Sequence, residues 1–465
     1  MIRNECSVSS GLKKLFLAVI YLFMLLLVSP YFIGVEAKVK LLIVALALYL
    51  YSERAESGIE VKLLFALGAW SVFTHMVGTD IFVRENTDMI ICYCAMFIIV
   101  AAGAMMEPEK RLRFLDLAAI PYCLYYTIVG IVCMYSGVFQ TEVFNPITKG
   151  SISKFGPQTT RMEILGENPN TMAYFFFFSL MLLLYLFFRY KKPAVRAVII
   201  PAVLVNYLTA MFTFSRNVKL ALSVCGALVI LMLALKYRSP AKMLNKVLLI
   251  ALVVGVSLVS VYKSFDFSAQ VMSGISQAVL GKVQVSAEEQ NALPDLENTT
   301  GTYEDSRSLF QDTGRIPIYK AAIQTLAEKP SRLLIGNVYA MQATNQQRYE
   351  NDEEVGKTQL PDYKFTVMTH HHNVLLQTLV YLGIPGLGLM LAFLVLLVVK
   401  IIRLFFDERV SPAVKILAIS LSGGCVYNMF ETSLYYKVDY CSFVFLLIAG
   451  IVIACHDELK QKTTP

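Results

Sequence analysis

Long apolar blocks, separated by short polar connections, repeat along most of the 465-residue chain. About 20 apolar residues suffice for a helix to cross about 30 Å of hydrocarbon, and helices satisfy their own backbone hydrogen bonds there. The pattern therefore predicts an all-α integral membrane protein with about 12 transmembrane helices. The predicted spans are 14–34, 36–52, 62–82, 87–106, 114–137, 170–189, 196–214, 217–236, 243–262, 374–401, 413–434 and 439–455.

One long polar stretch, residues 263–371, interrupts this pattern. It divides the chain into a bundle of spans one to nine over residues 1–262, a loop over 263–371, and spans ten to twelve over 372–465. Loops of this length are usually functional or disordered. Within the loop, apolar residues recur at helical spacing and predict a helix near 314–329.

The basic residues predict the orientation of the spans, because cytoplasmic connections are enriched in Lys and Arg. Basic residues concentrate in alternate connections, at 110–113, 189–196, 236–246 and 400–409. An even number of spans with both termini cytoplasmic fits this alternation and puts the long loop at the outer face.

Composition supports a membrane protein, since 56% of the residues are hydrophobic and soluble domains contain about 45–50%. The net charge of +7 is distributed over short connections and does not form one patch, so we predict no nucleic-acid partner. The nine cysteines lie mostly inside apolar blocks and are interpreted as small buried hydrophobic residues.

Two arginines are candidate anion-binding residues. Arg216 lies in a very tight outer turn between spans seven and eight, and arginine at membrane depth is a functional candidate by default. The alternative is a side chain that reaches the outer headgroups. Arg315 begins the predicted loop helix, where the helix N-terminus and a guanidinium both favour phosphate. Its alternative is a solvated surface arginine.

Three of the five histidines, His370, His371 and His372, lie where the loop meets span ten. Consecutive helical residues point about 100° apart, so the three cannot all face one metal ion, and no metal site is predicted. A neutral imidazole is an effective general base near neutral pH. An interfacial histidine without chemistry is an equal alternative for His370 and His371.

Two fixed cations and one base suit an anionic, membrane-held substrate, and a lipid-linked diphosphate has this chemistry. Four segments then resemble the O-antigen ligase/polymerase family of bacterial membrane glycosyltransferases. The layout, with the large outer loop between spans nine and ten, resembles the ligase branch and a GT-C-like fold. The segments are "ENPNTMAYFF", "FSRNVKLAL", "GRIPIYKAAIQTLAEKPSRLLIG" and "HHNVLLQTLVYLGIPGLGL".

The resemblance implies a glycan donor on undecaprenyl diphosphate and an acceptor that is a lipid-core sugar or another lipid-linked glycan. It implies inverting, metal-independent transfer without a cofactor, at the outer face of the bacterial inner membrane. Motif alignment carries the diphosphate-binding role to Arg216 and Arg315, and the base to His372 because Asn373 follows it. Tyr319 stands where the family often has Trp, and "IGNVY" replaces a common Gly-x-Gly.

Further polar residues are candidates for lining the cavity. A carboxylate at Asp80 or at Glu431, in the outer half of span eleven, can orient the histidine or a sugar hydroxyl. For both carboxylates the alternative is a satisfied polar group in helix packing. The candidates are Asn170, Ser215, His371, Asn373, Asp80 and Glu431.

Two other functions remain open at this point. A transporter or flippase of lipid-linked oligosaccharides also has many spans and cations in a central cavity, although such proteins usually show two related halves. Here only the second half has the long loop, which favours the enzyme. A catalytically silent assembly protein of the cell envelope is the third possibility. Ligase and polymerase are not distinguished, because the same centre serves both.

Overall fold

A computed structural model describes the chain in segments, and helices make up almost all of them. The helices are α1 (Ser10–Val28), α2 (Ile59–Gly78), α3 (Arg84–Met105), α4 (Pro108–Phe139), α5 (Pro169–Arg189), α6 (Pro193–Phe212), α7 (Arg216–Tyr237), α8 (Ser331–Ile335), α9 (Val374–Phe406), α10 (Pro412–Asn428) and α11 (Tyr440–Gln461). The described residues are 10–28, 42, 45–47, 50, 58–78, 84–139, 141–144, 151–154, 163–165, 169–213, 215–237, 250–256, 259–260, 263, 319, 322–323, 326, 331–336, 372–431 and 440–461.

Seven helices among these residues are long and apolar enough to cross a membrane: α2, α4, α5, α6, α7, α9 and α11. A shorter apolar helix, Ile90–Met105, lies within α3. The prediction of an all-α membrane protein is confirmed by these helices. The count of twelve spans, the position of the long loop and the division of the chain into three parts stay predictions.

A small antiparallel sheet between α4 and α5 in the chain is an addition that the hydropathy pattern did not predict. It contains β1 (Glu142–Phe144), β2 (Ser151–Lys154) and β3 (Glu163–Ile164), in the order β1-β2-β3. Three strands of two to four residues are too short to register as an alternating pattern. β3 contacts α5, and Ile164 is fully buried.

The chain forms two compact units, each built from segments that are distant in sequence. The first contains Met1–Ala118, Asp312–Asp407 and Asn428–Pro465, and the second contains Ala119–Gln311 and Glu408–Tyr427. In the first unit α3 packs against α11, where a Cβ at Gly103 would overlap the carbonyl oxygen of Leu447. Such a close approach of two backbones requires small residues at the interface.

Aromatic stacking holds the second unit together. The rings of Tyr174 on α5 and Tyr427 on α10 stack with centroids 4.2 Å apart and planes 12° apart. The Tyr427 hydroxyl also donates a hydrogen bond to the carbonyl oxygen of Asn170, 2.9 Å away. Stacked and hydrogen-bonded tyrosines therefore connect the start of α5 to the end of α10.

Two contacts between α2 and α9, both within the first unit, show that these helices run antiparallel. Glu60 at the start of α2 pairs with Lys400 near the end of α9, at 3.0 Å. Lys400 also pairs with Asp457 on α11, at 2.6 Å. Trp70, in the middle of α2, donates its indole N–H to the carbonyl oxygen of Leu382 at 2.8 Å. The end of α2 therefore lies toward the start of α9.

The long helix α9 is broken, whereas the sequence pattern predicts one continuous span over 374–401. Gly383 has φ 66° and ψ −169°, and Pro385 follows two residues later. The helix therefore consists of a first part, residues 374–382, and a second part, residues 384–406. Glycine adopts this left-handed φ without a steric penalty, and proline is well suited to the first turn of a new helix.

The break in α9 is covered by its neighbours. The carbonyl of Leu382 at the break accepts the hydrogen bond from Trp70. The short helix α8, which belongs to the predicted loop, packs against the break so closely that a Cβ at Gly383 would overlap the Leu334 carbonyl. A segment remote in sequence thus fixes the angle at which the first part of α9 leaves the second.

Candidate active site

His372 lies immediately before the start of α9, in a backbone conformation that is uncommon for a residue with a side chain. Its φ is 48°, in the left-handed region. Asn373 caps the helix, and its Oδ1 accepts hydrogen bonds from the backbone N–H groups of Leu375 and Leu376, both at 2.9 Å. The left-handed turn at His372 and the cap at Asn373 together precede the first turn of α9.

The imidazole of His372 is paired with a buried carboxylate. Its Nδ1 lies 3.0 Å from Oε2 of Glu431, and the exposed side-chain fractions are 31% for the histidine and 8% for the glutamate. Because an ionised carboxylate only accepts hydrogen bonds, we assign the proton to Nδ1. In the neutral imidazole this leaves a lone pair on Nε2, which is the arrangement that a general base requires.

The position of Glu431 differs from the predicted one. The sequence pattern put it inside span eleven, but α10 ends at Asn428 and Glu431 lies in the non-helical segment that follows. The apolar and polar residues after 428 continue the hydropathy pattern of a span, so hydropathy alone did not reveal the end of the helix. Because the chain has left the helix at this point, the Glu431 side chain reaches His372, two residues before α9 begins.

Asn373 also fixes the segment that contains Glu431. Its Nδ2 donates a hydrogen bond to the carbonyl oxygen of Met429, at 2.9 Å. One side chain therefore caps α9 with its oxygen and holds the chain two residues before Glu431 with its nitrogen. Asn373 was predicted to line the cavity. Its hydrogen bonds fix the backbone next to both members of the His372–Glu431 pair.

The predicted loop helix contributes a further contact to His372. Tyr319, Ala322, Ile323 and Leu326 are helical, with Ala322 and Leu326 buried and Ile323 exposed. The Tyr319 hydroxyl donates to the backbone carbonyl of His372, at 3.4 Å. The phenol of Tyr319 thus makes this long hydrogen bond. The family that the chain resembles often has an indole at the same position.

Arg216 is the first residue of α7 and belongs to the second unit, where it is half-buried. Ser215 before it and Asn217 after it are both buried. The hydroxyl of Ser215 is buried without a hydrogen-bond partner among the described residues. A guanidinium at the N-terminus of a 22-residue helix combines two features that favour an anion.

The remaining candidates divide into two groups. Asn170 lies in the first turn of α5, where its carbonyl accepts the hydrogen bond from Tyr427. Arg315, His370, His371 and Asp80 lie outside the described residues. Within the described part of the chain, no group of three or more His, Cys, Asp or Glu residues has a geometry suited to a metal ion.

Sequence reasoning therefore named Glu431 as one of two carboxylates that can orient the histidine, but it did not decide between Glu431 and Asp80. No spacing rule connects residue 372 with residue 431, and the left-handed backbone of His372 has no signal in a single sequence. The available signal for the cap was Asn373 directly before an apolar run, which is a strong N-cap pattern.

Comparison with known proteins bears on the same segment. Residues 201–391 match the family model described as O-antigen ligase, a range that includes both Arg216 and His372. A search of curated proteins finds no match to the chain. The match to the family model supports the assignment of this chain to the O-antigen ligase family.

Proposed function

We propose that this protein is a glycosyltransferase that moves a glycan from a polyprenyl-diphosphate donor to a sugar hydroxyl on a lipid-linked or lipid-core acceptor. Its family indicates ligation or polymerisation of membrane glycans and a glycosyltransferase-like activity. The observation that carries the proposal is the 3.0 Å pair between His372 Nδ1 and Glu431 Oε2. It leaves Nε2 as a base beside a membrane helix.

In the proposed reaction Nε2 of His372 accepts the proton of the acceptor hydroxyl. The acceptor oxygen then forms a bond to the anomeric carbon, and the bond from that carbon to the diphosphate oxygen breaks. The polyprenyl diphosphate leaves with the electron pair, and attack from the opposite side inverts the anomeric centre. Glu431 holds the ring and stabilises the imidazolium that forms, the role of the carboxylate in other His–carboxylate pairs.

The diphosphate part of the proposal is supported by charge. Arg216 at the start of α7 is suited to bind phosphate oxygens and to offset the charge that develops on the leaving group. The resemblance assigns the same role to Arg315. We further propose undecaprenyl diphosphate as the carrier and the outer face of the inner membrane as the location, which the alternating basic connections support.

A transporter of lipid-linked oligosaccharides is the second candidate, and the break in α9 is the observation that favours it. Discontinuous spans are common at the substrate sites of transporters. However, α8 packs directly on the break at Gly383, so its backbone is covered by protein. The His372–Glu431 pair supplies the general base that transfer to a sugar hydroxyl requires.

The test compares glycan transfer from a lipid-linked donor in membranes containing the wild type or His372→Ala. Loss of the base predicts a fall in turnover of about 10²–10⁴-fold. Arg216→Ala and Arg315→Ala are expected to lose transfer as well. A matched control is His456→Ala, because His456 Nδ1 lies at the same 3.0 Å distance from a carboxylate, that of Asp457.

Equal amounts of each inserted variant must be compared. Full transfer by His372→Ala would refute the enzyme proposal. Transfer that persists while movement of the glycan across the bilayer is lost would favour the transporter. Equal losses in His372→Ala and His456→Ala would indicate a general effect on folding rather than a catalytic role.

A further inference from the structure

The predicted loop contacts the first part of α9 at both of its ends. At the start, the Tyr319 hydroxyl donates to the backbone carbonyl of His372, at 3.4 Å. At the end, α8 and the residue after it, Gly336, pack against the break at Gly383. The part of α9 between these contacts is roughly 13 Å long at 1.5 Å per residue. We name the described residues between 319 and 336 the clamp, and all of them belong to the first unit.

The contact at the end of the first part of α9 is made by backbone, and two glycines permit it. Gly336 has φ 78°, and a Cβ there would overlap the carbonyl of Tyr381. Gly383 has φ 66°, and a Cβ there would overlap the carbonyls of Leu333 and Leu334. Glycine adopts such a φ without a steric penalty and lets two backbones approach this closely. The position of α8 on the break is therefore fixed from both sides.

The contact at the start reaches the backbone of the candidate base. His372 precedes the cap residue Asn373, so its carbonyl lies outside the hydrogen-bond ladder of α9. The phenol of Tyr319 donates to this carbonyl. A residue with a side chain keeps a φ of 48° only where its surroundings determine it. A hydrogen bond to the carbonyl restrains the peptide next to the imidazole, and so restrains the distance from Nδ1 to Glu431.

We infer that the clamp positions the catalytic base and that Tyr319 is the positioning residue, an inference that rests on the proposed function. The Tyr319 hydroxyl bonds to the backbone of His372 and not to its ring, so it exchanges no proton with the acceptor. It acts by holding the imidazole 3.0 Å from Glu431. Because α8 is fixed on the break, the clamp cannot slide along α9, and the phenol meets the carbonyl at one place. Transfer therefore depends on residues that take no part in making or breaking bonds.

Tyr319→Phe removes the donor hydroxyl and keeps the ring. We expect kcat for glycan transfer to fall about tenfold or more while KM for the donor stays within about twofold, because a misplaced base slows the chemical step without weakening binding. Tyr122→Phe is the matched control, since the Tyr122 hydroxyl also donates to a backbone carbonyl, that of Phe175 at 3.1 Å, in the second unit. It is expected to leave kcat unchanged. An unchanged kcat in Tyr319→Phe, or equal losses in both variants, overturns the inference.

A double-mutant cycle with Glu431→Ala separates positioning of the base from a general effect on folding. If Tyr319 acts by holding the ring against the carboxylate, its hydroxyl matters less once the carboxylate is absent. Tyr319→Phe is therefore expected to lower kcat by less than about threefold in the Glu431→Ala background. A general structural loss would multiply, so an equal fall of kcat in both backgrounds overturns the inference.

Gly336→Ala tests the other end of the clamp. Alanine is disfavoured at φ 78°, and its Cβ would push α8 away from Tyr381. We expect kcat to fall, and Tyr319→Phe to lower it by less than a further factor of about two in this background, because the phenol has already lost its place. Gly388→Ala, whose Cβ meets no atom within 4 Å, is the control and is expected to leave kcat unchanged.

The outcomes distinguish the clamp from the proposed function. Independent effects of Gly336→Ala and Tyr319→Phe on kcat would show that the two ends do not act together, and would overturn the clamp. Full transfer by both variants overturns the clamp while the proposed function stands. If the wild type transfers no glycan from a lipid-linked donor, the proposed function fails and the inference fails with it.

Discussion

Two contacts from distant parts of the chain hold His372, and the residue that follows it caps α9. Glu431 accepts from its ring at 3.0 Å, Tyr319 donates to its carbonyl at 3.4 Å, and Asn373 caps the helix directly behind it. A non-glycine residue at φ 48° persists only when its surroundings determine it. The side chain therefore has a defined orientation before any substrate binds, which reduces the reorganisation needed during reaction.

At the residue scale, Glu431→Gln tests whether the carboxylate acts through the histidine. The amide oxygen still accepts from Nδ1, but it no longer offsets the charge of the imidazolium. We therefore expect kcat to fall by about 10²-fold or more while KM for the donor stays within about twofold. Steady-state transfer assays on equal amounts of inserted protein provide the measurement.

The control for this variant is Asp457→Asn, which makes the same change in a histidine–carboxylate pair of the same length. It also removes one of the two carboxylate partners of Lys400, and Glu60 remains as the other. It is expected to leave kcat unchanged. If kcat falls equally in both variants, or if KM alone changes in Glu431→Gln, Glu431 does not act on the base.

At the scale of elements, the break at Gly383 divides α9 into two parts. Its first part begins beside the candidate base, and its second part contains Lys400, which pairs with Glu60 and Asp457. The angle between them depends on Gly383, on the Trp70 hydrogen bond and on the packing of α8. Through α8, the predicted loop therefore contacts α9, the helix that begins next to the candidate base.

Gly383→Ala tests this arrangement. Alanine is disfavoured at φ 66°, and its Cβ would overlap the carbonyls of Leu333 and Leu334. We expect a loss of about 1–3 kcal/mol in the free energy of unfolding, together with loss of transfer. Thermal denaturation in detergent and the transfer assay measure the two effects.

Gly388→Ala is the matched control, since it lies in the same helix and its Cβ meets open space. Alanine there is expected to be neutral or to stabilise the helix by about 0.5–1 kcal/mol. If the two alanine variants were equally stable, the packing of α8 on the break of α9 would not require a residue without a side chain at position 383.

At the scale of the whole molecule, the basic residues predict the orientation of the chain in the membrane. Arginines and lysines collect at 110–113, 189–196, 236–246 and 400–409, in alternate connections. Positive residues favour the cytoplasmic side by their effect on insertion. The loop at 263–371 and the C-terminus are therefore expected on opposite sides.

Thiol labelling of intact cells tests this orientation. A cysteine introduced by Ser286→Cys in the loop is expected to react with a membrane-impermeant reagent, whereas Thr463→Cys near the C-terminus is expected to react only after lysis. Cys6→Ser provides a background without the N-terminal thiol. If both positions, or Thr463→Cys alone, were labelled in intact cells, the predicted topology would be wrong.

The sequence alone determined what depends on local order along the chain. Apolar blocks of membrane-spanning length predict helices, as found for α2, α4, α5, α6, α7, α9 and α11. The apolar run from residue 374 predicts the start of α9, and the motif segments resemble the family whose model matches residues 201–391. Each of these signals lies within a few consecutive residues, so one sequence is enough to read it.

Only the tertiary structure decided which distant residues meet. The pairing of His372 with Glu431 joins residues 59 positions apart, and the contact of Trp70 with Leu382 joins residues 312 apart. The break in α9 and the early end of α10 also differ from the hydropathy pattern. The physical reason is that hydropathy reports the average environment of a segment, whereas a hydrogen-bonded pair or a covered helix break depends on the partner that packing brings to it.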